Sequence, residues 1–227
     1  MRYNGRGVGL SSGWKSLTGL QEVDDLRELV KCALKRLGDV REVVLIVSIH
    51  LLSFSRLFFM LFGATGTLAL LKLSPLPKQG YSNGALTASM HPVLPAPLRT
   101  THILISYPLG PRGLLTAFRT RTYQRALEDL VRQPAAHVLL CQGGADDFTA
   151  PETYDAWAEA LGQLAAGGDD ASEGENSEGT GGDSEGEGWS SERGSNVLEV
   201  VRIPDASHFW GGQAMRALIE AVTQFLA

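Results

Sequence analysis

The sequence predicts an α/β fold: a doubly wound, mostly parallel sheet covered by helices on both faces. Three observations point there. Short β-branched apolar runs alternate with helical patterns of ten to twenty residues. The runs are apolar on both sides rather than alternating, as in strands buried on two faces. A length of 227 residues, 44% of them apolar and 20% charged, suits a single domain with a sizeable core.

The elements follow in order. Residues 5–13 are a glycine- and serine-rich loop. Residues 18–37 form an amphipathic helix, with Leu20, Val23, Leu26, Leu29, Val30, Ala33 and Leu34 at helical spacing and Gly38 as its stop. Residues 40–46 (Val-Arg-Glu-Val-Val-Leu-Ile) read as a buried parallel strand. A short helix at 85–90, a strand at 101–106 and a Pro/Gly loop at 107–113 come after an atypical segment at 47–79. A helix at 122–132 and a strand at 137–141 follow. Pro151 opens a helix running to residue 165, as proline does in a first turn. The last strand is 197–203 and the closing helix 213–226.

Composition narrows the function. The formal charge is −5. Residues 167–196 hold nine acidic residues and one arginine, a net −8, which leaves +3 on the rest. That is too mild for nucleic-acid binding. The acidic stretch is low in complexity and apolar content, and is expected to be a disordered, solvated insertion. Cys32 and Cys141 lack metal-ligand spacing and are expected to be two buried, reduced thiols of a cytoplasmic protein. The first residues lack the apolar stretch of a secretory signal.

Three motifs carry chemistry. Gly80-Tyr81-Ser82-Asn83-Gly84 fits G-x-S-x-G, the strand-to-helix turn that presents a nucleophilic serine. Gly80 and Gly84 leave room for the sharp turn, and the Asn83 N–H is placed to stabilise an oxyanion. Gly143-Gly144-Ala145-Asp146-Asp147-Phe148 follows one apolar run, and Ala206-Ser207-His208-Phe209 follows another. Acyl transfer needs a serine, a histidine to take its proton and a carboxylate to hold that histidine. Ser82, Asp146 and His208 supply those types in a workable order. Asp146 is preferred to its neighbour Asp147 by its spacing from Gly143, and Asp205 reads as a loop carboxylate.

At these residues the chain resembles the α/β-hydrolase superfamily, in particular its small uncapped serine hydrolases. Asn4-Gly5-Arg6-Gly7-Val8-Gly9-Leu10-Ser11-Ser12-Gly13 is similar to the arginine-glycine loop of those enzymes, and helix, strand, elbow, acid loop and histidine loop follow in family order. The resemblance implies a serine hydrolase acting on an ester, thioester or amide of a small or exposed acyl substrate, with no metal or organic cofactor. The short connection from Ser106 to His137 leaves little room for a large lid, and a modest cap is expected from 114–118 and the following helix.

The chain departs from the family pattern in two places. It opens inside the arginine-glycine loop, so the sheet is expected to be incomplete on its N-terminal side, with a bare edge and one oxyanion donor fewer, at a cost of about 10²–10³ in rate. Residues 47–79, an apolar insertion of 33 residues, separate the strand from its elbow. Removing them joins Ile46 directly to Gly80. Val47-Ser48 and Gln79 can encode splice-site sequences, so the segment reads as a translated intron. It also contains fifteen uncharged residues, 57–71, a candidate transmembrane segment extending at most over 46–73 but short of the roughly 20 residues a span needs. Spanning is not favoured, because it would pull the strand away from its elbow. The segment is instead expected to displace Ser82 or to protrude as a loop or helix. The alternative function is a catalytically inactive hydrolase-like protein, membrane-associated through 46–73.

Overall fold

The computed structural model describes all residues except 1–11, 15, 17, 49–55, 64–67, 71–81, 111, 168–195 and 209. For residues 47–48, 56–63 and 68–70 only the backbone is described. The arginine-glycine loop up to Ser11, Gly80 and Tyr81 of the serine motif, and nearly all of the acidic insertion lie outside the described residues.

The fold is α/β. Helix α1 (Leu20–Leu37) leads into β1 (Val40–Ser48), and β2 (Arg56–Gly63) and β3 (Leu68–Leu70) follow. Then come α2 (Ser82–Ser89), β4 (Arg99–Ile105), α3 (Arg112–Leu115), α4 (Thr120–Arg132), β5 (Ala136–Gly143), α5 (Pro151–Ala165), β6 (Val197–Ile203) and α6 (Gly212–Phe225). The six strands lie in the order β3-β2-β1-β4-β5-β6. Strands β1, β4, β5 and β6 are mutually parallel. β2 and β3 are each antiparallel to the preceding strand in the chain.

Period-two alternation divides the buried strand side chains between two cores. Val43 and Leu45 of β1, Leu104 of β4, and Val138 and Leu140 of β5 face α1, α2, α4 and α5. Val44, Ile103, Leu139 and Cys141 face α6. Helix α1 buries Val23, Leu26, Val30 and Ala33, the stripe that its spacing predicts. Helix α4 buries Tyr123, Leu127, Leu130 and Val131, and the Tyr123 hydroxyl donates to the Thr18 carbonyl at 2.6 Å, tying α4 to the start of α1. β6 is an edge strand, so its side chains are less covered than those of β5.

Two expectations are corrected. Within 47–79 the described stretches 47–48, 56–63 and 68–70 are strand rather than a protruding loop or helix, and the edge of β1 is not bare. Their Arg56–Gly63 stretch pairs with β1 from Val40↔Gly63 to Ser48↔Arg56, with one register shift near Glu42, and β3 pairs with β2. Backbone groups at a sheet edge are unsatisfied until another strand pairs with them, and an aromatic-rich run is suited to do so. The same run is therefore strand rather than spanning helix. Among the described residues no helix is long and apolar enough to cross a membrane. The second correction concerns cysteine. Cys141 is buried on β5, but Cys32 is exposed. It stands two residues after Val30, off the buried stripe of α1.

The inserted strands also keep the chain's direction. β1 runs towards one end of the sheet, β2 returns, and β3 runs the first way again. After two added strands the chain is thus heading towards the carboxyl ends of the parallel strands, the end from which α2 must start.

Candidate functional site

The loops that leave the carboxyl ends of β5 and β6 carry Asp146 and His208. The acid loop leaves β5 at Gly143, and the histidine loop leaves β6 at Ile203. Two backbone bonds join the loops: Gly144 N–H to the Ile203 carbonyl at 2.8 Å, and Ala145 N–H to the Ala206 carbonyl at 3.0 Å. Glycine makes this approach feasible. A Cβ on Gly143 would lie 2.2 Å from the Ala206 oxygen, and one on Gly144 would lie 2.6 Å from the Pro204 oxygen. Both obstacles are backbone, which cannot swing aside. Gly143→Ala is therefore expected to cost about 3 kcal/mol through overpacking, seen as a lower urea midpoint at unchanged m-value. A variant as stable as the parent would show that the two loops part at little cost.

With the loops joined, His208 Nδ1 lies 2.8 Å from Asp146 Oδ2. The second carboxylate oxygen, Oδ1, accepts from the N–H groups of Phe148 at 2.8 Å and Thr149 at 3.2 Å. The Asp146 side chain is 2% exposed and that of His208 10%. An ionised carboxylate only accepts hydrogen bonds, so Nδ1 carries the proton in the neutral ring and the ring lone pair is on Nε2. This is the tautomer a general base requires. Asp147, the competing carboxylate, is exposed.

Further contacts brace the histidine loop. Trp210 Nε1 donates to Ser106 Oγ at 2.9 Å, both side chains being buried. Ser106 follows β4 with φ 49°, and its N–H donates to the Cys141 carbonyl at 2.8 Å. The Phe148 ring meets His208 edge-on, with centroids 4.5 Å apart and planes at 70°. Trp210 and Phe148 each stand two residues from a motif residue, and no spacing rule marks them. Only their aromatic character beside a motif hinted at a role.

Ser82 is the first residue of α2 and is half-buried. Asn83 follows it, its carbonyl meeting the Thr87 hydroxyl at 3.4 Å, and Gly84 is buried within the helix. Helix α2 packs on β1 and β4. The segment after its last turn touches β4: His102 Nε2 lies 2.9 Å from the His91 carbonyl, and the Leu94 N–H donates to Thr100 Oγ1 at 2.9 Å. The C-terminal end of α2 therefore lies over the first half of β4, and Ser82 starts the helix towards the carboxyl ends of the strands. In open parallel sheets ligands bind at that end. Among the described residues no group of three or more His, Cys, Asp or Glu side chains could hold a metal ion.

Comparison of the chain with family models, curated proteins and solved structures found no match. The functional reading rests on the geometry of the site and on its motifs.

Proposed function

We propose that the protein is a serine hydrolase of the α/β-hydrolase type, with Ser82 as nucleophile, His208 as base and Asp146 as the carboxylate that orients it. The observation that carries this reading is the buried Asp146–His208 pair, held by adjacent parallel strands and with both carboxylate oxygens engaged. A buried, hydrogen-bonded carboxylate against an imidazole is costly to assemble, and general-base chemistry gives it a use. The G-x-S-x-G match at the start of α2 supplies the nucleophile.

In this reading Ser82 Oγ attacks the acyl carbonyl while His208 Nε2 takes its proton. The Asn83 N–H stabilises the oxyanion. His208 then hands the proton to the departing oxygen, sulfur or nitrogen, and the bond from the acyl carbon to that atom breaks. Water enters by the same route in reverse, giving the free acid and restoring Ser82. No metal or organic cofactor has a role in these steps. The substrate is a small or exposed acyl compound, and the site of action is the cytoplasm.

A fluorophosphonate probe tests the proposal directly. The folded protein is expected to become labelled at Ser82, found by peptide mass spectrometry, and Ser82→Ala is expected to lose the label and the esterase activity together. Folded protein that resists labelling would overturn the reading in favour of a catalytically inactive hydrolase-like protein.

A further inference from the structure

We propose that Phe148 is the wall against which the departing group of the substrate lies, so that the site prefers esters of aromatic or other apolar alcohols. The inference rests on the serine-hydrolase reading above and adds the substrate class.

The argument starts from the proton. His208 Nε2 must deliver it to the leaving oxygen, so the leaving group has to come within hydrogen-bond reach of that ring. A side chain packed against the small His208 ring is then close to the leaving group. Phe148 holds that position, with its ring centroid 4.5 Å from that of His208. Its place is set by the same turn that holds the acid, because its own N–H donates to Asp146 Oδ1. Its carbonyl is pressed against Gly110, where a Cβ would come within 2.3 Å. The backbone of Phe148 is thus held on both sides, by the acid and by Gly110.

Despite this packing, Phe148 is 44% exposed. A phenyl ring that is both held in place and partly wet gains by being covered with apolar surface. The segment that Gly110 opens carries two further uncovered apolar side chains, Leu114 at 79% and Phe118 at 86% exposure.

The test compares phenyl acetate with methyl acetate, which share an acyl group, on the parent protein, Phe148→Ala and Phe148→Leu. Taking variant-to-parent ratios cancels the intrinsic reactivities of the two esters. Phe148→Ala is expected to lower kcat/KM for phenyl acetate about tenfold more than for methyl acetate, the scale of one apolar pocket contact. Phe148→Leu should fall between. Equal losses on both esters would overturn the inference, since Phe148 would then act only by steadying His208. Fluorophosphonate labelling of each protein separates the two levels. A labelled Phe148→Ala with unchanged ester preference sinks the leaving-group assignment alone. A parent that does not label removes the hydrolase reading, and the assignment with it.

Discussion

Asp146→Asn is expected to lower kcat for ester hydrolysis about 10⁴-fold, with little change in KM and with the fold retained. The hydrogen bonds at Asp146 dictate how the asparagine must sit. Phe148 and Thr149 both point N–H groups at the Oδ1 position. Only the amide oxygen can accept those bonds, so the amide NH₂ is forced to the position of Oδ2, facing His208 Nδ1. The imidazole must then accept at Nδ1 and carry its proton on Nε2. In that tautomer it has no lone pair to offer Ser82. The lost charge also removes the stabilisation of the imidazolium formed during turnover. Steady-state kinetics on phenyl acetate, with thermal melts of both proteins, would check this, and Asp147→Asn is the control because that exposed side chain should leave kcat within twofold. An Asp146→Asn protein that kept activity within tenfold of the parent would mark the Asp146–His208 pair as structural.

Much of this arrangement was legible in the residues. Helix α1 follows from the stripe through Leu26 and Val30, and β1, β4, β5 and β6 from short apolar runs with parallel-sheet character. The pairing of Asp146 rather than Asp147 with His208 agrees with the spacing from Gly143. The described stretches within 47–79 form strands rather than a protruding loop or helix for a physical reason. A Leu- and Phe-rich run without alternation suits a buried helix or a strand equally well by periodicity, and the free edge of β1 decides between them. Pairing partners lie outside any local window. Cys32 was misplaced because cysteine alone suggests burial, whereas its helical position, between Val30 and Ala33 of the stripe, turns it outward. Phe148 and the Trp210–Ser106 bond escaped notice because loops have no period, so their side-chain directions come only from the tertiary structure.

Acid is expected to unfold this protein, and His102 is the main reason. It sits inside β4 with no exposed surface, its Nε2 facing the His91 carbonyl. Nδ1 finds no hydrogen-bond partner. Burial drives its pKa down from 6.5 to about 3, against a smaller upward push from the His91 carbonyl and a further lowering by the His91 ring. The folded state therefore refuses a proton that the unfolded chain takes up below pH 6.5. Stability is intact above pH 6.5, falls as the pH drops below it, and stops falling only near pH 3. Each pKa unit of difference is worth about 1.4 kcal/mol, so the full loss approaches about 5 kcal/mol, a large share of a domain's roughly 5–15 kcal/mol. His91 and His137 add to the trend, both lowered first by burial, with Arg27 and Arg99 respectively acting in the same direction. Urea unfolding at a series of pH values from 7.5 to 4 should show the midpoint falling on acidification. In His102→Gln, which cannot titrate, most of that slope should vanish even though the variant starts less stable. A slope unchanged by the substitution would mean that His102 is protonated within the fold, and that other groups set the acid limit.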